Sequence, residues 1–218
     1  MIPYRATHVP TYHLWMQDEN LQVIQIEWGL KMKIKEKSGE SETTNPILLI
    51  WALILRRIQV LTGSEPLSME EEVAMQKSWH EDPGKCTFIV LSRERLQEEG
   101  ATELTAMVGD TNLFLLEEAT GTAEAEIMIA DAACRGLGLG WEAMLLMLRY
   151  GSEKLGLTKY VAKIKEENYP SLKMFTKIGF TEQSRSHVFK EVTLEWRADL
   201  DWLRNEVPWQ LEIYSHKV

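Results

Sequence analysis

A glycine-rich loop between an apolar segment and an amphipathic one has residue types suited to binding an anion. The strand-like run "AEIMIA" precedes it, the helical run "WEAMLLMLRYG" follows it, and Arg135, Gly136, Gly138 and Gly140 lie between them. The first amides of a helix lack partners within the helix and carry the positive end of its dipole. Glycines let a phosphate approach such amides closely. We therefore predict a phosphate-binding loop with Arg135 at its mouth, and a tight strand-to-helix turn is the alternative interpretation.

Two common nucleotide-binding motifs do not match this loop. A dinucleotide-binding fingerprint requires G-x-G-x-x-G and an acidic residue at the end of the next strand. Here the glycines are spaced G-x-G-x-G, and the strand-like run "TKYVAKI" ends at Ile164 and is followed by Lys165, so the acidic residue is missing. A P-loop requires Lys and then Ser or Thr after its glycines, whereas Gly140 is followed by Trp141. The predicted ligand is therefore a pyrophosphate-containing molecule that neither of these two motifs binds.

A second motif lies about thirty residues downstream. The segment "NYPSLKMFTKIGF" contains Asn168 and Ser171 in the pattern N-x-x-S, followed by the pattern K-x-G-F. Together with R-x-x-G-x-G after a strand, this arrangement resembles the acetyl-coenzyme A motifs of the GNAT superfamily (GCN5-related N-acetyltransferases). The resemblance covers most of the chain apart from residues 23–59 and the C-terminal tail.

The resemblance implies both a fold and a set of residues that contact acetyl-CoA, the cosubstrate. GNAT proteins have a mixed, twisted sheet whose fourth and fifth strands, here "EAEIMIA" and "TKYVAKI", splay apart to hold the pantetheine arm. Asn168 and Ser171 would lie on the far side of the coenzyme, with simple capping of a helix as the alternative. The backbone expected to line the arm and the thioester belongs to Ile127, Met128 and Ile129, and the pyrophosphate would be held by Arg135, Gly136, Leu137, Gly138, Leu139 and Gly140.

Acetyl transfer to an amine requires a neutral amine, so a base is expected near the thioester. Many GNAT members carry a tyrosine acid seven residues after the motif asparagine, where this chain has Phe175, and some carry a glutamate base five residues before it, where this chain has Lys163. Glu124 and Glu126 are the candidate substitutes, since both should point away from the apolar face of their strand. A solvated pair of strand carboxylates is the alternative.

The elements that must position these residues alternate along the chain. Strand-like runs at "CTFIVLS", "MVGDTNLFLLEE", "EAEIMIA", "TKYVAKI" and "HVFKEVTLEWRAD" are separated by a polar loop, "RERLQEEGATELT", and by helical runs. Thr7 is predicted to cap an early helix, and Ser68 with Glu71 forms a capping box for the next. This rhythm predicts an α/β sheet with crossover helices, and the resemblance implies an α/β (α+β) GNAT fold with a mixed sheet flanked by helices.

Composition limits the class of protein. The 218 residues are 44% hydrophobic and 26% charged, which suits a globular domain, and the net charge of −9 argues against nucleic-acid binding. Two cysteines, Cys86 and Cys134, form neither a disulfide framework nor a metal-ligand pattern, and no metal is expected. The run "ILLIWALIL" is too short to span a bilayer. With no N-terminal signal pattern, we expect a cytoplasmic protein that is not bound to a membrane, and a nuclear location is equally compatible.

Residues 23–59 fit the pattern poorly. A basic, Ser/Thr-rich stretch runs there into the apolar segment with few turn residues, and we predict that it is an atypical insertion. The first strand of the fold is expected to be short at its N-terminal end. We predict one GNAT domain over residues 1–197 and a tail over residues 198–218 that docks onto it.

The sequence therefore predicts an acetyl-CoA-dependent N-acetyltransferase that modifies a protein amine, on lysine or at an N-terminus, by direct attack in a ternary complex. The resemblance also implies tubulin or microtubules as candidate partners. Two alternatives remain open at this stage: a GNAT-like binding module with weak or no catalysis, favoured by Phe175 and Lys163, and an acetyltransferase for small amines, since acceptor pockets vary on one fold.

Overall fold

The computed structural model describes residues 1–16 and 67–208, which form one seven-stranded sheet flanked by helices. The strand order is β1-β2-β3-β4-β5-β7-β6, and every neighbouring pair is antiparallel except the parallel pair β4–β5. The strands are β1 (Ile2–Pro3), β2 (Lys85–Leu91), β3 (Met107–Leu115), β4 (Thr122–Ile129), β5 (Lys159–Lys165), β6 (Thr181–Ser186) and β7 (Glu191–Arg197). The predicted mixed sheet with flanking helices is confirmed.

The helices precede, connect and follow these strands. They are α1 (Val9–Met16), α2 (Met69–Glu81), α3 (Arg93–Leu96), α4 (Glu103–Ala106), α5 (Leu139–Lys154), α6 (Tyr169–Ile178) and α7 (Leu200–Glu206), with 3₁₀ turns at Ala6–His8 and Ala132–Cys134. None of the helices in residues 1–16 and 67–208 has the length and apolar character needed to cross a membrane.

The two faces of the sheet differ in character because side chains alternate along each strand. Leu113, Ala125 and Tyr160 belong to the apolar face and pack in the main core with buried side chains of α5, such as Leu148. The opposite face carries Asp110 and Asn112 of β3, and Glu124 and Glu126 of β4, where Asn112 lies directly across from Glu126. At the β1–β3 end this polar face is covered by a second core of aromatic and aliphatic side chains from α1 and α2.

Strands β4 and β5 separate after a short paired region. Thr122, Ala123 and Glu124 pair with Lys159, Tyr160 and Val161, and the remaining five residues of β4 pair with β3 alone. Strand β5 pairs with β7 along its whole length. The predicted splay is therefore confirmed, and it leaves a cleft that opens toward the C-terminal ends of both strands.

Several local predictions can be compared with the structure. The capping box at the start of α2 is confirmed, since Ser68 Oγ accepts from the Glu71 amide at 3.3 Å and Glu71 Oε2 accepts from the Ser68 amide at 2.7 Å. The Thr7 cap was wrong, because Thr7 lies inside the 3₁₀ turn that leads directly into α1, and Arg5 precedes that turn. The segment "RERLQEEGATELT" is not a continuous loop but contains α3 and α4, each capped by a hydroxyl.

Strand β6 was not predicted. Its six residues, "TEQSRS", are mostly exposed, so they lack the alternation of apolar and polar residues that marks a half-buried strand. Its partner β7 alternates clearly, with Val192, Leu194 and Trp196 buried. The edge strand exists because β7 supplies hydrogen-bonding partners, which only the tertiary structure provides.

The described part of the C-terminal tail packs against the domain. Asp199 caps α7 by accepting from the Trp202 amide at 2.9 Å, and Leu203 is fully buried. On α5, Arg149 donates to the Val207 carbonyl at 2.5 Å, and Glu153 accepts from Arg204 at 2.9 Å. The predicted insertion at residues 23–59 and the last ten residues of the tail lie outside the described residues.

Candidate active site between β4 and β5

Helix α5 begins at the predicted loop with its first amides free of side-chain caps. Its N-cap is Gly138, at φ 86°, and Gly136 is also left-handed, at φ 74°. The first amide to bond within the helix is that of Glu142, which donates to the Gly138 carbonyl. By contrast, Ser68, Asn168 and Asp199 cap their helices through side chains. The amides from Leu139 to Trp141 are therefore oriented to donate to an anion at the positive end of a 16-residue helix.

The three glycines of the loop differ in their surroundings: the backbone favours glycine at Gly136 and Gly138, whereas at Gly140 an added Cβ would make ordinary van der Waals contacts. At Gly136 and Gly138 an added Cβ would meet nothing within 4 Å, so the left-handed backbone is the reason for glycine there. At Gly140 the backbone is helical, and a Cβ would lie 3.4 Å from Ile129 Cγ1 and 3.9 Å from Met174 Sδ. The first turn of α5 therefore lies close to the end of β4 at Gly140. The open space beside Gly136 and Gly138 suits a diphosphate.

Arg135 ties this loop to the strand that precedes it. Its Nε donates to the Ile129 carbonyl at 2.8 Å and its Nη2 donates to the Ala130 carbonyl at 2.9 Å. Asp131 braces the same turn, accepting from the Ala133 amide at 2.9 Å and pairing with Arg95. These contacts preorganise the loop, and a contact of Arg135 with the pyrophosphate stays a prediction.

Asn168 is a helix cap in this structure. Its Oδ1 accepts from the Ser171 amide at 3.3 Å and begins α6, with Pro170 in the first turn. This geometry is the capping alternative considered for both residues. Their contact with the coenzyme stays a prediction, which the position of α6 at the C-terminal end of β5 permits.

The residues predicted to line the pantetheine arm lie where β4 has left β5. Ile127, Met128 and Ile129 pair with Thr111, Asp110 and Gly109 of β3, and their other edge faces the cleft. Each of the three is partly exposed. Because strand amides and carbonyls alternate between the two edges, part of this backbone is available to a ligand in the cleft.

The two candidate bases have different surroundings. Glu124 is at the last paired position of β4, and its Oε2 accepts from Lys163 Nζ of β5 at 2.6 Å. This bond raises the pKa of Lys163. Glu124 is therefore one half of an ion pair at the closed end of the cleft, and Lys163 occupies one of its carboxylate oxygens.

Glu126 lies one step further along the same face, beyond the last β4–β5 pair. Burial raises the pKa of Glu126 and the Glu124 carboxylate raises it further, whereas Lys85 and Lys163 oppose these effects. The side chain is nonetheless exposed, so protein crowds the carboxyl on one side while solvent reaches it on the other. Such a carboxylate is a better base than an ordinary surface glutamate.

A buried polar row on β2 and β3 beside Glu126 was missed at the level of sequence. Thr87 Oγ1 donates to Asn112 Oδ1 at 2.6 Å, and Asn112 Nδ2 donates to Asp110 Oδ2 at 2.7 Å. Asp110 is only 2% exposed, and burial raises its pKa to about 7. The signal was present in "MVGDTNLFL", where three consecutive polar residues, Asp110, Thr111 and Asn112, interrupt a mostly apolar strand.

Two further side chains, Lys85 and Phe175, are at least partly buried. Burial lowers the pKa of Lys85 to about 8, and its Nζ lies 2.9 Å from the centroid of the Trp79 ring and 4.2 Å from that of Phe114. Phe175, at the position where many GNAT proteins carry an acid, is buried against Phe180 with ring centroids 4.9 Å apart. Phe175 is therefore a core residue.

Comparison with known proteins agrees with this geometry. Residues 1–181 match the sequence profile of the acetyltransferase (GNAT) domain. Alpha/beta-tubulin-N-acetyltransferase 9 of Homo sapiens is 44% identical over 220 residues, which cover 99% of this chain and 86% of that protein. The N-acetyltransferase 9-like protein of Nematostella vectensis is 40% identical over 200 residues, covering 91% and 82%. Spermidine N-acetyltransferase from Vibrio cholerae, solved with CoA and spermine, matches with a TM-score of 0.54 at 18% identity over 65% of this chain and 83% of that one; this likeness concerns the fold alone.

Proposed function

The chain belongs to the GNAT acetyltransferase family, and we propose that this acetyl-CoA-dependent N-acetyltransferase modifies a protein amine by direct attack in a ternary complex. The observation that carries the proposal is the cleft itself: β4 and β5 part after Glu124, and the uncapped start of α5 lies at the end of β4. A thioester held in this cleft would lie beside a basic carboxylate.

Tubulin is the acceptor that we propose. The relatives in Homo sapiens, Mus musculus and Drosophila melanogaster are named alpha/beta-tubulin N-acetyltransferases and are 41–44% identical to this chain. Each alignment covers at least 93% of the chain. At this identity over nearly the full length, a shared acceptor is the simplest inference.

Binding of the coenzyme is assigned to backbone groups. The amides from Leu139 to Trp141 would bind the diphosphate, assisted by the left-handed turns at Gly136 and Gly138. The free edge of β4 from Ile127 to Ile129 would bind the pantetheine arm. Acetyl-CoA supplies the activated acetyl group as a thioester.

The proposed base is Glu126. A lysine amine has a pKa near 10.4 and an N-terminal amine one near 8, so both are largely protonated at neutral pH. Glu126 would remove the proton from the ammonium group, directly or through one water. The backbone amide of Ile129 would donate to the acetyl oxygen as negative charge develops there.

The proposal is tested in two steps. Calorimetry measures binding of acetyl-CoA to the full chain, and mass spectrometry then follows acetylation of the α/β-tubulin dimer, of peptides carrying its two N-termini and of a lysine peptide, with spermine as a small-amine control. We expect transfer to tubulin and its loss in Gly138→Glu. Tight binding without transfer to any acceptor would support the binding module, for which Phe175 in the core and Lys163 in an ion pair are the supporting observations.

A further inference from the structure

The buried carboxyl of Asp110 has no role in the reaction described so far, although it lies on the same face of the sheet as Glu126. We propose that Asp110 is a positioning residue for the Glu126 base. It fixes the Asn112 amide directly across from Glu126 and places a second carboxyl diagonally across from Glu126 on the same face of the sheet. The two carboxyls therefore respond to pH as a coupled pair. This inference rests on the proposed function of Glu126.

The first argument is the hydrogen-bonded row. The Asn112 side chain is held at both ends, by Thr87 Oγ1 at 2.6 Å and by Asp110 Oδ2 at 2.7 Å. Asn112 and Glu126 are cross-strand partners in the β3–β4 pair, so their side chains emerge side by side on one face. Asp110 therefore determines which way the amide beside the base points.

The second argument is the surroundings of Asp110. Among the described residues, its Oδ1 is buried without a hydrogen-bonding partner, as are Tyr4 Oη and Glu72 Oε2 nearby. Charged and titratable groups act on this region from every packed element: Lys85 from β2, Glu126 from β4, Tyr4 after β1, Tyr12 from α1 and Glu72 from α2. Asp110 therefore makes a hydrogen bond through one carboxyl oxygen, and the other oxygen is enclosed by protein rather than by solvent.

The third argument is the sign of the coupling. The Glu126 carboxylate raises the pKa of Asp110, and since the interaction between two charges is reciprocal, ionised Asp110 raises the proton affinity of Glu126. The pKa of Glu126 itself is shifted by burial, Glu124, Lys85 and Lys163, so the effect of Asp110 on Glu126 is inferred from this reciprocity. When the ammonium N–H bond breaks, the proton forms an O–H bond on Glu126. Ionisation of Asp110 near pH 7 therefore makes Glu126 a stronger base.

The test is the pH dependence of kcat/KM for the full chain with tubulin or its active peptide, compared between wild type and Asp110→Asn. The asparagine keeps an oxygen to accept from Asn112 but stays neutral. The ratio of wild-type to variant kcat/KM should rise with pH through about 7, by about threefold, because ionised Asp110 makes Glu126 a stronger base and only part of that gain in proton affinity appears in the rate of proton transfer. Titration of the amine cancels in this ratio. A ratio that does not change with pH overturns the proposal.

Glu72→Gln is the matched control. Glu72 is 1% exposed and burial raises its pKa to about 7, but it lies on α2, and neither Glu72 nor Glu126 shifts the pKa of the other, whereas Glu126 raises the pKa of Asp110. The ratio of wild-type to Glu72→Gln kcat/KM should be independent of pH. A ratio that changes as strongly as that of Asp110→Asn would assign the effect to general destabilisation and overturn the specific role of Asp110.

Carboxyl-labelled ¹³C NMR of the wild type provides a readout without turnover. The Glu126 signal should show two inflections, its own and one that follows Asp110, and a single inflection overturns the coupling. The results show which of the two proposals has failed. Full activity of Glu126→Gln rejects Glu126 as the base and this inference with it. A loss of activity in Glu126→Gln combined with one inflection rejects the coupling alone.

Discussion

Lys163 Nζ of β5 donates to Glu124 Oε2 of β4 at 2.6 Å, at the point where the two strands part. The ion pair joins the strands across the closed end of the cleft and occupies one of two neighbouring carboxylates. Glu126, two residues further along β4, lies beyond the last pair. The different surroundings of these two glutamates lead to the first prediction.

Glu126→Gln should lower kcat by roughly 10²- to 10⁴-fold, the range typical of losing a general base. Glu124→Gln should change kcat by less than about tenfold, because it removes one partner of a half-exposed ion pair of small energetic value. Initial rates of both variants with the same acceptor test this difference. A larger loss in Glu124→Gln than in Glu126→Gln would exchange the roles of the two residues.

Gly138→Glu should abolish acetyl-CoA binding, since a carboxylate at the start of α5 would repel the diphosphate and compete for the same amides. Gly156→Glu is the control: Gly156 is left-handed at φ 68°, has open space for a Cβ and lies just past the other end of α5. Both substitutions carry a similar backbone cost of about 1–2 kcal/mol. Calorimetry should show binding only in Gly156→Glu, and comparable affinity in both variants would move the phosphate site elsewhere.

Stability should fall as pH rises from about 4 to about 7. Burial raises the pKa of Asp110 and of Glu72 to about 7, so in this window the unfolded chain releases protons that the folded chain retains. The stabilisation is fully present below the unfolded pKa and lost as pH passes the folded one. The change for Asp110 is on the order of a few kcal/mol.

Asp110→Asn should reduce this slope, and the double variant with Glu72→Gln should reduce it further. Urea unfolding at pH 5 and pH 8 measures the effect, with the variant gaining stability relative to wild type only at pH 8. Parallel stability curves for wild type and variant between these pH values would show that Asp110 ionises normally in the folded protein.

Gly151→Ala should destabilise the protein by about 1–3 kcal/mol, the usual cost of overpacking a core. A Cβ on Gly151 would lie 2.5 Å from Tyr160 Oη and 2.9 Å from Leu113 Cδ1, where α5 crosses the sheet. Adding Tyr160→Phe removes the closest atom and should restore part of the loss, as measured by the free energy of unfolding. An additive double variant would mean that the two residues do not meet.

The apolar periodicity of the chain was sufficient for most of the fold. Strands β2, β3, β4, β5 and β7 and helices α2, α5 and α6 follow from local patterns, since each has one face against a core. Strand β6 does not, because its residues are mostly exposed and its hydrogen bonds depend on β7. Helices α3 and α4 do not, because each has only four residues and is too short to show helical periodicity.

For the site, the loop with Gly136 and Gly138 was determined by the sequence alone, because a left-handed backbone before a helix is a local property that glycine satisfies. The tertiary structure decided which of the two carboxylates is held in an ion pair. Lys163 and Asn112 lie far from Glu124 and Glu126 in the chain and reach them only through the pairing of β4 with β5 and β3. Charge and burial at those carboxyls depend on that pairing, and no short segment of the sequence determines strand register.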